Sequence, residues 1–446
     1  MTISAETIRA AAIAVLVEND TGTLIRAAPR LYPHQWSWDA AFISVGLAHR
    51  SVPRAIVEWR TIFGAQWTTG MLPHIVFAEA PDYFPGPDVW GTQEAVARPA
   101  GVQTSGICQP PVHALCVEQV ALIARAKGGA DAAQLEEFIA DAVPRLARWH
   151  AWLSRARDPE GRGLIEIHHG WESGMDNSPR FDSVYADVHV REPAVLKRTD
   201  LVHASAAERP TDAEYQRYLW LIHQLRSVAY DDARAVEVID FRCGDVFITA
   251  CLAVSSEALA RLADSIGDVQ LAASERRRAA RCREAVLASI DPATGLCRDY
   301  DYRAGRWLDV SSIAGFSLLI CDGPTDAVLR QRALLTGPHW MGHPQNRHPL
   351  PGSVSLDDPG CQPRAYWRGP VWPIMNWFFA HCALARGDGE LGAALRRAGL
   401  DQLSGLEFGE YYEPCTGEAL GSHRQSWTAM AALDWLTAAR WTGAGG

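Results

Sequence analysis

The chain has 446 residues, 48% hydrophobic and 21% charged, which supplies a large core and excludes a disordered chain. Its 42 basic against 52 acidic residues give a formal charge of −10, which excludes the electrostatic footprint of a nucleic-acid or anionic-membrane binder. The ten cysteines form no CxxC pair, which excludes the common zinc and dithiol motifs and suits free thiols in a reducing, cytoplasmic setting.

Residues 4–17 read as an amphipathic helix. Glu6, Arg9 and Glu18 punctuate it and no basic leader precedes it, so it does not suit a signal peptide. No stretch elsewhere reaches about 18 uninterrupted apolar residues, and no membrane span is expected. The segment 31–42, LYPHQWSWDAAF, carries Trp36, Trp38 and Asp39 into a helix predicted at 39–49. Asp39 there suits an N-cap, or an acceptor for sugar hydroxyls. Further helices are predicted at 53–65 and, after the Gly/Pro-rich segment 82–110, at 111–127 and 133–155. Residues 164–168 carry the clearest strand signal.

The segment 170–182, GWESGMDNSPRFD, follows. Its glycines let backbone approach a ligand, and an acid here could protonate a leaving-group oxygen if its surroundings raise its pKa. Residues 189–210 are polar and mixed, suiting a lid. Helices are predicted at 213–227, 243–264, 268–290, 310–320 and 325–335, with the basic run 275–283 as a solvated face. The loop 337–370 leads into YWRGPVWP at 366–373, where Arg368 suits a structural ion pair, and into helices at 370–386 and 390–403. The Gly/Pro-punctuated segment 404–426 reads as a loop; it holds Glu413 and Glu418 within YYEPCTGEALG and precedes a last helix at 424–440. Asp131, Asp212 and Ser426 suit N-cap or first-turn positions.

Roughly a dozen helices with few strands predict helical hairpins stacked into a ring, and no fixed-period repeat points to a solenoid. Many of the 17 tryptophans stand in Gly/Pro-rich loops, where flat rings can stack on sugar faces. Acids on separate loops among aromatics fit glycoside hydrolysis, which needs an acid and a base flanking the anomeric carbon. No phosphate loop, serine elbow or zinc motif competes, and Asp231-Asp232 lacks the spacing of an aspartate-rich metal motif.

Ordered matches run through almost the whole chain: YPHQWSWDAAF, QWTTGMLPHIVF, YFPGP, TSGICQPPVHA, GWESGMDNSPRFD, the Arg-Pro-x-Asp-x-Glu-Tyr stretch at 209–215, YWRGPVW, and EYYEPCTGEALG followed by QSWTA. By these the sequence resembles glycoside hydrolase family 63, and within it the bacterial glucosylglycerate hydrolases; the ESGxD and GE…W patterns also look like family 37 trehalases. The resemblance implies an all-α (α/α)6 barrel, one catalytic domain over 1–446 with insertions near 82–110, 170–212 and 337–370, and an inverting mechanism. Carried over, the ESGxD acid falls on Asp176 as general acid. The base of the TGE loop falls on Glu418, nine residues before Trp427, with Glu413 and Asp182 in supporting roles.

The substrate implied is glucose linked to glycerate. The resemblance sets Arg209, Tyr215, Tyr83, Trp171 and Gln425 around the glycerate carboxylate, which needs cationic or multiple donors. It sets Trp38, Asp39, Gln109, Tyr366, Trp367 and Trp372 nearer the sugar. No metal or organic cofactor is implied, and a homo-oligomer is left open. Cys108 and Cys415 depart from the pattern, standing where Thr and a large aromatic are expected; Gln425, in place of an aromatic, favours the glycerate-specific subgroup. Hydrolysis of mannosylglycerate or another small α-glycoside, and sugar binding without catalysis, remain as alternatives.

Overall fold

The computed structural model describes residues 3–80, 82–202, 205–438 and 441. Among these the chain is mostly helical, with strands of only two residues. The helices Ser37–Arg50, His113–Lys127, Val246–Ser265, Ser317–Cys321, Pro373–Ala385 and Ser426–Thr437 touch one another in that order, and the last touches the first. Each is backed from outside, in turn by Val52–Gly64, Gly129–Ala156, Val269–Ala288, Thr325–Thr336, Gly389–Gln402 and Ala5–Asn19.

Residue patterns explain who stands inside. Pro373–Ala385 is buried continuously from Pro373 to Ala383, and Ser426–Thr437 from Ser426 to Leu436. A helix apolar on all sides must be enclosed. Val269–Ala288 instead buries Ala272, Glu275, Ala279, Cys282 and Val286, a single stripe at helical spacing, and gives its arginines to solvent. Val246–Ser265 is long and apolar enough to cross a membrane but is a core helix, buried against its neighbours along most of its length.

The thirteen predicted helices all occur, with ends shifted by a few residues; the predicted 310–320 is a 3-10 turn at Ile313–Phe316 followed by Ser317–Cys321. Three sequence readings need correction. Asp39 is no N-cap: it lies inside the first turn of Ser37–Arg50, whose cap position is Trp36. The segment read as a loop at 404–426 contains an antiparallel hairpin, Tyr411–Tyr412 against Ala419–Leu420. The short helix Asp232–Val238, capped by Asp231, carried too weak a periodicity to be recognised.

Connections set the polarity of the molecule. Chain passing from an inner helix to the following outer one is short, as at 51, 128 and 266–268. Chain passing from an outer helix to the next inner one is long: 65–112, 157–245, 289–316, 337–372 and 403–425. All long segments therefore gather at the N-terminal end of the inner helices. There a four-stranded antiparallel sheet, Glu166–Ile167, Cys243–Gly244, Tyr300–Asp301 and Arg306–Trp307, ties two of them together.

Candidate active site

The gathered loops enclose a cavity of about 740 Å³, open mouth included, above the N-termini of the inner helices. Trp38 and Asp39, from the first turn of Ser37–Arg50, form part of its floor with Trp427. Trp38 meets Trp427 edge to face at 5.6 Å, and its backbone N–H donates to Gln109 Oε1 at 3.1 Å. Tyr366 and Trp367 make another wall. Tyr366 holds a left-handed backbone at φ 39°, a strain of roughly 1–3 kcal/mol of the kind that gathers at functional sites.

The segment 170–182 is anchored on both sides of Asp176. Before it, the buried Glu172 carboxylate accepts from Arg157 Nη2 at 2.5 Å, His168 N at 2.6 Å and Cys108 N at 3.2 Å. After it, Asn177 Oδ1 accepts from Trp367 N at 3.1 Å, and Arg180 is fully enclosed by Asp245 and Asp299 at 2.8 Å each. Asp182 pairs with Arg368 at 2.6 Å, so both serve the loop and neither enters the cavity. Gly174 has φ 70°, and a Cβ there would lie 2.8 Å from the Trp38 ring. Only glycine lets the acid's loop cross that tryptophan.

Asp176 reaches the cavity together with Asp39 and Glu410. Glu410 is 1% exposed; its Oε1 accepts from the Tyr32 hydroxyl at 2.7 Å and its Oε2 from Ser422 N at 2.9 Å. Burial, opposed by the Arg209 guanidinium and assisted by the Glu410 charge, pushes Asp176 up to about 7. Burial also raises Glu410, with Arg209 again opposing, and lifts Asp39 well above the usual carboxylate range, with Glu410 and Asp176 adding to it. Acids crowded in a low-dielectric site hold protons that isolated ones release. Such a group can act as acid near neutral pH while a neighbour acts as base.

The opposite wall carries the cation. Arg209 lies 4.5 Å over the Tyr366 ring, donates to the Tyr32 hydroxyl at 3.2 Å and faces Asp200 at 3.5 Å. Tyr83, Tyr215 and Trp171 stand around it in the same cavity. Trp171 lies alongside His74, which burial holds down at about 3 and so keeps neutral.

Ten of the thirteen residues singled out from sequence thus line one cavity: Asp176, Trp38, Asp39, Tyr83, Gln109, Trp171, Arg209, Tyr215, Tyr366 and Trp367. Trp372 and Gln425 stand behind it. Trp372 stacks on Trp367 at 3.7 Å and donates to Tyr366 O; Gln425 accepts from the Ser422 hydroxyl at 3.2 Å. Glu418 is elsewhere. Its side chain is 55% exposed and pairs with Arg364 at 2.6 Å, which holds it below its ordinary value. It is not among the residues that line the cavity with Asp176.

The family described as Mannosylglycerate hydrolase MGH1-like glycoside hydrolase domain matches residues 32–428. The crystal structure of the GH63 mannosylglycerate hydrolase from Thermus thermophilus, in complex with Tris and D-glycerate, has a TM-score of 0.87 to this chain. The likeness covers 96% of this chain and 100% of that one at 35% identity. This chain belongs to glycoside hydrolase family 63. The family 63 enzyme is also 46% identical over 429 residues to the glucosylglycerate hydrolase of Mycolicibacterium hassiacum, covering 94% of this chain and 95% of the relative. Mannosylglycerate hydrolase MGH1 of Selaginella moellendorffii is 37% identical over 95% of this chain and 84% of its own length.

For a family 63 enzyme the missed residue of most consequence is Glu410. Three glutamates stand close in sequence, and the hairpin separates them. Tyr411 pairs with Leu420 and Tyr412 with Ala419, so Glu413 faces Glu418 at the turn while Glu410 sits at the root beside the cavity. At about 3.3 Å per residue, positions 410 and 413 are roughly 10 Å apart. Glu413 closes the turn by accepting from Thr416 N. Recognition of the strand alternation in 410–413 was the available signal. Tyr32, Trp36 and His74 also line the cavity and carried no signal beyond being polar or aromatic near the tryptophan-rich segment. Cys108 bonds Glu172 behind the site, and Cys415 lies at the hairpin turn away from it.

Proposed function

We propose that this glycoside hydrolase is an inverting enzyme that cleaves 2-O-α-glucosylglycerate to glucose and glycerate, with Asp176 as general acid and Glu410, in place of Glu418, as general base. The observation that carries it is one aromatic-walled cavity holding Asp176 and Glu410 together with a single arginine, Arg209. Asp176 gives its proton to the glycosidic oxygen as the bond to the anomeric carbon breaks, releasing the glycerate hydroxyl. Glu410 takes a proton from water attacking the opposite face of that carbon, so configuration inverts. Asp39 and Gln109 hold sugar hydroxyls beside the tryptophan rings. Arg209, Tyr215 and Tyr83 hold the glycerate carboxylate.

The ring of paired helices supports an (α/α)6 barrel acting as one catalytic domain, with the long segments as insertions. The ten thiols, unpaired and mostly buried, support a cytoplasmic setting. Relatives named mannosylglycerate hydrolases, matching as much of the chain at lower identity, favour that sugar as a second reading. Incubation with glucosylglycerate and mannosylglycerate side by side, with the first anomer followed by NMR, tests both. β-Glucose is expected first and fastest; α-glucose appearing first overturns inversion, and faster mannose release overturns the glucosyl preference.

A further inference from the structure

One hydroxyl group joins the two halves of the cavity. Tyr32 comes from the segment before the first inner helix, Arg209 from the long insertion and Glu410 from the hairpin. The Tyr32 hydroxyl donates its only proton to Glu410 Oε1 at 2.7 Å and accepts from Arg209 Nη1 at 3.2 Å. Tyr366 Oη lies 3.4 Å from it. The Tyr32 ring is held edge-on against Trp36 at 5.1 Å, so the hydroxyl has little freedom to turn elsewhere.

A hydroxyl that accepts from a cation donates more strongly. When a carboxylate on the aglycone draws the guanidinium to itself, Tyr32 loses that donor, and its bond to Glu410 weakens. The charge that opposes protonation of Glu410 is neutralised in the same event. The other groups facing Glu410 are Asp39 on the first inner helix, Asp176 on the acid's loop, Tyr366 and Tyr411, and Ser422 N on the hairpin. We propose that Tyr32 is a positioning residue that transmits occupation of Arg209 by an aglycone carboxylate to Glu410, so that an anionic substrate strengthens the base that attacks it. This rests on the reading of Glu410 as base and Arg209 as anion site.

The experiment compares 2-O-α-glucosylglycerate with its neutral counterpart, 2-O-α-glucosylglycerol, in wild type, Tyr32→Phe and Glu410→Gln. The acid limb of kcat/KM reports the base in free enzyme, and that of kcat reports it in the complex. Wild type is expected to show a kcat limb about one pH unit higher than its kcat/KM limb on the anionic substrate, and no such gap on the neutral one. Tyr32→Phe keeps the ring. It is expected to raise the kcat/KM limb toward the kcat limb and so close the gap on the anionic substrate, with KM for that substrate nearly unchanged. Unmoved limbs with a raised KM would reduce Tyr32 to an aglycone contact and overturn the coupling. An equal gap on both wild-type substrates overturns it without any variant. Activity retained in Glu410→Gln defeats the reading of the base itself, whatever Tyr32→Phe does.

Discussion

Burial raises both Asp176 and Glu410 and the Arg209 guanidinium opposes both, and each carboxyl can be tested on its own. Asp176→Asn and Glu410→Gln are expected to lower kcat on glucosylglycerate by about 10²- to 10⁴-fold. Glu418→Gln is expected to retain the wild-type rate, because its carboxylate faces solvent and Arg364. An inactive Glu418→Gln would contradict the assignment. Burial lifts Asp176 to about 7, above its unfolded value of 3.8, so the native state binds more protons than the unfolded chain between those pH values. Stability therefore falls as pH rises from about 4 to 7, and the loss persists above. Asp176→Asn removes the buried charge, and a Tm a few degrees above wild type is expected at pH 8 but not at pH 4. The same proton sets activity: kcat should decline as pH passes through about 7, once Asp176 ionises. At this scale Asp176 was singled out by the resemblance of its ESGxD segment, since the residues alone left a turn-forming role open. Glu410 was not, since three neighbouring glutamates look alike until a hairpin sorts them.

The loop 170–182 behaves as an element although it has little regular structure. Glu172, Asn177, Arg180 and Asp182 each bond to a different neighbour, and together they fix the acid's approach over Trp38. Arg180 is the strongest anchor, 1% exposed between Asp245 and Asp299. Removing one partner of such a buried pair leaves uncompensated charge, and Arg180→Met is expected to cost about 3–5 kcal/mol in urea unfolding. A change below about 1 kcal/mol would mean the pair is replaceable. Gly174→Ala should cut activity with less effect on folding, since the methyl group pushes on the Trp38 ring at the cavity floor. The glycine and the acids were visible in sequence. Arg180's partners were not, because Asp245 and Asp299 lie far along the chain and meet it only through the small sheet.

Across the molecule, the cavity exists because the long connections leave the ring at one end. The first helix closes the cycle from outside. Ala5–Asn19 packs on Ser426–Thr437, and Asn19 Nδ2 donates to the Ser426 hydroxyl at 2.8 Å and to Arg424 O at 2.9 Å. Deleting residues 1–19 would expose the apolar side of that inner helix, which follows directly on the hairpin bearing Glu410. A truncated chain is expected to aggregate or to melt at least about 10 °C lower with activity lost; an active, stable truncation would show that the helix is dispensable.

Helical periodicity and the acidic character of the chain were determined by the sequence alone, because each depends on near neighbours or on totals, and the family resemblance singled out Asp176 as the proposed acid. That Glu410, and not Glu418, shares a cavity with Asp176 was decided by the tertiary structure. Which glutamate enters a cavity depends on where a hairpin attaches to a ring of helices, and that attachment is made by residues hundreds of positions apart.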